Sequence, residues 1–253
     1  MDKQAFEDEA QRLLKAADAG GVTLRVLGAV AFARRCPRHA HLQDTLGRAY
    51  TDIDFAGYGR QVAGIRSVLG KEGYAEDEMT YVESEGSRMV LNHPRTGLHL
   101  DVFLDQLSFC HTVRWDARMQ AERDTIPLAE MLLQKMQIVQ INEKDIIDTI
   151  MLLLEHPLGD EDGDVINIGL VADICAKDWG WWRTITGNLD KLMQLGTGEH
   201  EDLVPEARRH DPIAQARQIK AFCDSCHKTL KWKIRSKVGD RVQWYELPEE
   251  VGH

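Results

Sequence analysis

Thr51-Asp52-Ile53-Asp54-Phe55 decides the reading of this chain, together with Leu98-His99-Leu100-Asp101-Val102-Phe103 further along. Side chains alternate faces along an extended strand. Asp52 and Asp54 then share one face, with Ile53 and Phe55 on the other. In the second stretch Leu98, Leu100 and Val102 form an apolar face, and Asp101 stands opposite with His99 and Phe103. Carboxylates projecting from adjacent strands repel one another unless a divalent cation lies among them. Mg²⁺ takes hard oxygen ligands, commonly one or two carboxylates with substrate phosphates and water. Such a site suits phosphoryl or nucleotidyl transfer. An Asp-x-Asp pair is also what an ordinary solvated strand carries, so the weight rests on Asp101 and on the residues that precede the pair.

Leu24-Arg25-Val26-Leu27 reads as a short buried strand, Gly28-Ala29 as a tight turn, and Val30-Ala31-Phe32-Ala33-Arg34-Arg35 as the start of a helix. A helix N-terminus can hold a phosphate through its unpaired N–H groups and its dipole. Downstream, Lys135 lies in the apolar run Leu132-Leu133-Gln134-Lys135-Met136, where a charge is unexpected. A surface lysine with a buried stem is the plain alternative. Asn142-Glu143-Lys144-Asp145 opens another helical segment. There Asn142 is a candidate N-cap and Asp145 stands where a capping box places an acid.

In this order the motifs resemble the nucleotidyltransferase superfamily with a DNA polymerase β-like core. More closely, the chain is similar to the AbiEii-type nucleotidyltransferases of abortive-infection toxin–antitoxin systems. The resemblance covers roughly residues 20–156. It implies catalytic and metal-binding roles for Asp52, Asp54 and Asp101. It implies substrate contacts for Gly28, Ala29, Thr51, Lys135, Lys144 and Asp145. It further implies Mg²⁺ or Mn²⁺ as cofactor, an NTP donor, a hydroxyl acceptor on RNA, tRNA or protein, and an antitoxin protein as partner. One departure is visible: the family turn continues with a second Gly and then Ser or Thr, whereas this chain has Ala29 and Val30. Two other readings stay open. One is a small-molecule adenylyltransferase of the aminoglycoside-modifying kind, and the other a non-catalytic nucleotide-binding or interaction module.

Composition sets the frame. The chain has 253 residues, 43% of them hydrophobic, and a net charge of −10. That is enough for a core and excludes a generally basic nucleic-acid-binding surface. Charge is uneven: between Pro205 and Arg241 ten Lys and Arg face four acids. Such a stretch could follow RNA, or be a plain solvated helix face. Five cysteines without a pairing pattern, and no secretory signal, predict a reducing cytoplasmic setting. Apolar runs are too short to span a bilayer. Cys223-Asp224-Ser225-Cys226-His227 has no second cysteine pair, so two thiols on a helix are the default over zinc or haem.

Periodicity predicts an α/β (α+β) protein: a small mixed β-sheet core over residues 1–113, which the resemblance implies is a nucleotidyltransferase core, then a helical domain over 114–253. The expected core elements are a helix over 3–19, a strand over 22–27, a helix over 29–35, a strand over 48–55 and a helix over 60–72. Strands over 79–84 and 87–91 should flank a Glu85-Gly86 turn, ahead of the strand with Asp101. Helices are expected over 127–141, 143–156, 167–177, 181–195 and 211–234. Asp160 to Asp164 reads as an acidic, solvated linker. Trp179, Trp181 and Trp182 suit packing between helices, or stacking on a base.

Overall fold

The opening stretch behaves as its periodicity requires. Asp2 accepts a hydrogen bond from the Ala5 N–H and starts α1 (Lys3–Ala19), which buries Phe6, Ala10, Leu13, Leu14 and Ala17. The structure, a computed structural model, describes residues 2–45, 47, 49–196 and 208–247. Arg48, the Pro205-Glu206 start of the basic stretch and the acidic end beyond Leu247 lie outside the described residues.

Two compact units emerge. The first contains Met1–Ala40, Asp44–Leu107 and Arg114–Pro127; the second contains His41–Gln43, Ser108–Val113 and Leu128–His253. The first is built on a five-stranded mixed sheet from β1 (Leu24–Leu27), β2 (Asp52–Gly57), β3 (Ala75–Asp77), β4 (Arg88–Asn92) and β5 (His99–Leu104), in the order β1-β2-β5-β4-β3. Only β2 and β5 run parallel; the other neighbours are antiparallel. Helix α2 (Gly28–Arg35) follows β1, and α3 (Val62–Lys71) follows β2. Ile53, Phe55, Leu100 and Val102 are fully buried. Burying each stabilises the unit by roughly 1.5–3 kcal/mol. Residues 124–126 extend the edge beside β1, where the Val26 N–H donates to the Asp124 carbonyl at 2.8 Å and the Ile126 N–H to the Val26 carbonyl at 3.1 Å. This backbone pairing ties the segment after residue 113 to the sheet.

One expected strand is a helix. Residues 79–83 fall in α4 (Glu78–Glu83), Ser84 is its C-cap, and the neighbouring strand is β3. The Asp77 carboxylate accepts from the Met79 N–H and the Thr80 hydroxyl, an N-cap that the alternation of Met79, Tyr81 and Glu83 concealed. Met79 and Val82 are exposed, so no buried face enforced a strand. The turn at Glu85 and Gly86 is present, both with positive φ.

The second unit is helical: α5 (Leu128–Met136), α6 (Glu143–Glu155), α7 (Ile168–Lys177), α8 (Trp179–Gly196), α9 (Pro212–Ser225) and α10 (Leu230–Val238). The remaining strands are short: β6 (Gln106–Ser108), β7 (Thr112–Arg114), β8 (Leu158–Gly159) and β9 (Ile166–Asn167). Every residue of α5 is buried, which makes it the central helix of this unit. It ends at Met136, earlier than residue 141, because the Asn188 amide takes the Met136 and Ile138 carbonyls at 3.1 and 2.8 Å. The helix expected over 211–234 is two helices. Asp211 and Thr229 each cap a helix start, and α9 ends at Cys226 in extended backbone. Among the described residues no helix is long and apolar enough to cross a membrane.

Candidate metal centre

The sheet brings together three acids that the sequence separates. In the parallel β2–β5 register Asp54 lies opposite Asp101, and Asp52 opposite His99. Asp52 and Asp54, two residues apart on one strand, therefore share the face of Asp101. Each of the three offers a carboxylate oxygen within 4.8 Å of the others, and all three are half-buried. Their set of donors is hard oxygen alone, which fits Mg²⁺ or Mn²⁺ better than a soft ion.

Gly28 closes one side. Its φ of +67° is a backbone conformation that glycine adopts at no steric cost. A Cβ there would stand 1.9 Å from Asp54 Oδ2. The turn thus needs glycine twice, for the left-handed backbone and for the approach of the carboxylate. The positive end of the α2 dipole starts at this residue. Val30, in the first turn of α2, is buried in the core. Thr51 is exposed, and its hydroxyl donates to Asp52 at 3.3 Å.

Sequence reasoning missed Arg88. Its Nε and Nη2 donate to the two oxygens of Asp101 at 2.8 and 2.9 Å, a bidentate pair. The signal lies in β4–β5 pairing: Val90 faces Asp101, so Arg88, two residues before it, is on the same face and diagonal to the acid. Burial opposes the guanidinium charge, but the bonds to Asp101 and the fields of Asp101, Asp54 and Asp52 outweigh it and hold Arg88 above its ordinary pKa. The carboxylate face therefore carries its own cation.

Lys135, Lys144 and Asp145 all belong to the second unit. Lys135 is not a surface lysine: its side chain is 9% exposed and pairs with Asp145 at 2.7 Å and Asp148 at 3.0 Å. The Asp145 N–H also donates to the side-chain oxygen of the cap residue Asn142 at 3.0 Å. Lys144 is exposed on the first turn of α6.

No family profile matches the chain, and no curated protein matches it in sequence. Among solved structures it is similar to the antibiotic-resistance factor ANT(2'')-Ia, at 12% identity and a TM-score of 0.42, over 79% of this chain and 100% of that one.

Proposed function

We propose that this protein is a metal-dependent nucleotidyltransferase, moving a nucleoside monophosphate from an NTP to a hydroxyl with release of pyrophosphate. The observation that carries the reading is the convergence of Asp52, Asp54 and Asp101 on one sheet face beside the Gly28 turn. Mg²⁺ or Mn²⁺, when bound, would neutralise phosphate charge and polarise the α-phosphorus for attack. Asp52 and Asp54 would hold the ion from β2. Asp101 would hold it from β5 and orient the acceptor hydroxyl as a base. The start of α2 at Gly28 and Ala29 suits the triphosphate oxygens, and Arg88 adds a positive charge for pyrophosphate. The acceptor we favour is a hydroxyl of RNA, such as a tRNA end, or of a protein. An AbiEii-like toxin role with an antitoxin partner belongs to the same proposal, as does a cytoplasmic setting.

A second reading, a nucleotide-binding module without chemistry, draws on two observations. Arg88 already occupies both oxygens of Asp101, and the hydroxyl of the family turn is replaced by the buried Val30.

Calorimetric titration of each NTP with Mg²⁺, on the natural chain and on the Asp52→Asn/Asp54→Asn double variant, tests the site. Binding should need both the ion and the aspartates. Equal binding by the folded double variant would sink the assignment. Binding without pyrophosphate release, in the presence of RNA and protein acceptors, would leave the second reading standing.

A further inference from the structure

The helical unit holds a cavity of about 520 Å³, within the size range of small-molecule sites. Trp179 and Trp181 from α8, Trp232 from α10, and Trp244 and Tyr245 from the segment after it form its aromatic lining. That last segment is fastened in place. The Glu246 N–H donates to the Cys110 carbonyl at 3.0 Å, and the Trp244 indole N–H to the Thr184 hydroxyl at 3.0 Å. Arg235 donates to the carbonyls of Gly239 and Val242 at 2.8 and 2.6 Å. The aromatic wall is therefore built into the unit.

The charges around it are biased positive in a chain that is acidic overall. The Asp178 carboxylate is engaged in capping α8, accepting from the Gly180 and Trp181 N–H groups at 2.7 and 3.1 Å. Arg235 makes its hydrogen bonds to neutral carbonyls, and the carboxylate that feels its charge, Asp240, is also paired with Arg183 at 3.0 Å. Lys231 is exposed at the lining and has no hydrogen-bond or ion-pair partner among the described residues. Lys177 is paired with Asp173 at 2.6 Å, and Glu246 remains as the one lining acid outside a cap.

This arrangement rejects two common occupants. A further cation would be repelled by the protein's own cations at the rings: Arg235 is 4.6 Å from the Trp179 ring, Lys228 5.4 Å from Trp232 and Arg183 5.5 Å from Trp244. A pure hydrocarbon would desolvate the Lys231 ammonium with nothing to pair it. A planar heteroaromatic ring with an anionic group meets both demands. It packs against Trp232, Trp244 and Tyr245, the half-buried rings of the lining, and its charge is answered by Lys231 and Arg235.

We propose that this cavity is a nucleotide-binding site: it takes an aromatic base and its phosphate, either as a free mononucleotide or as one unit of a single-stranded RNA. It lies wholly within the second unit and does not depend on Asp52, Asp54 and Asp101.

The test uses the full chain carrying Asp52→Asn/Asp54→Asn, in EDTA, so that the carboxylate site is silent. Calorimetry would follow four 5′-mononucleotides, the matching nucleosides, a ten-nucleotide single-stranded RNA and benzoate. Binding without metal is expected for mononucleotides, for RNA or for both, and which of them binds names the source. Lys231→Glu, on an exposed side chain, should weaken it roughly tenfold through loss of a charge-assisted contact. Removing the phosphate should do the same. Trp232→Leu should weaken it by roughly five- to a hundredfold, the range of one lost base stack. No binding by the folded chain would overturn the proposal. So would affinity indifferent to Lys231→Glu, or benzoate binding as tightly as the nucleotides.

Discussion

Gly28 and Arg88 control the carboxylate face by different means. At Gly28 an alanine meets two penalties, a left-handed backbone costing about 1–2 kcal/mol and a methyl 1.9 Å from Asp54 Oδ2. Gly21, with φ of +70° and nothing within 4 Å of an added Cβ, isolates the first penalty. Thermal melts should fall by a few degrees for Gly21→Ala and by more for Gly28→Ala. Mn²⁺ binding, followed by electron paramagnetic resonance, should be lost in Gly28→Ala and kept in Gly21→Ala. At Arg88 the guanidinium competes with any cation for Asp101. Arg88→Gln should therefore tighten Mn²⁺ binding in the absence of nucleotide by about tenfold, or about 1.4 kcal/mol. Weaker binding would mean instead that the arginine holds Asp101 in a ligating position.

Among the elements, α5 and α6 show what a charge inside a helical core entails. Lys135 joins Asp145 and the fully buried Asp148, which also accepts from the Gln43 amide at 2.8 Å. Removing one member of a buried ion pair leaves the rest uncompensated, at a cost of about 3–5 kcal/mol. Lys135→Met should lower stability to chemical denaturation by that order, and Asp148→Asn in the same chain should recover part of it. A Lys135 variant as stable as the natural chain would return the residue to a substrate role alone. A second buried group, His111 between β6 and β7, lies against the start of α8. Burial pushes His111 down to about 4, with Asp178 opposing, and its ring lies 2.9 Å from the Thr184 hydroxyl and stacks on Trp181. The folded ring is neutral where the unfolded one, near pH 6.5, takes a proton. Its contribution to stability is whole above pH 6.5 and is lost as pH falls through the window to 4, because there the unfolded chain binds more protons. The slope approaches about 1.4 kcal/mol per pH unit within that window. His111→Phe should flatten it in denaturation curves measured from pH 7 to 4.

For the whole molecule, a net charge of −10 leaves little room for a broad nucleic-acid surface. Single-stranded RNA held at the aromatic cavity should contact few phosphates. Its log affinity should fall with log salt by about 0.7 per phosphate neutralised, giving a slope shallower than −2. A steeper dependence would call for a larger basic surface than Lys231 and Arg235 provide. Much of this molecule follows from local patterning. The α1 face, the burial of Ile53 and Phe55, and the Asn142 cap are short-range consequences of periodicity and capping, forces that act within a few residues. Where local signals compete, the pattern misleads: Asp77 caps a helix over residues that alternate like a strand, and Thr229 restarts a helix that charge and apolar spacing ran together. The side-chain alternation of β2 and β5 put Asp52 and Asp54 on one face and Asp101 on a matching one, and Gly28 was marked by its turn. Only the tertiary structure decided that β2 and β5 are neighbours and parallel, that Arg88 grips Asp101 from the next strand, and that Lys135 is closed in by two aspartates. Strand order, register and helix packing come from contacts between residues distant in the chain, and no local spacing encodes them.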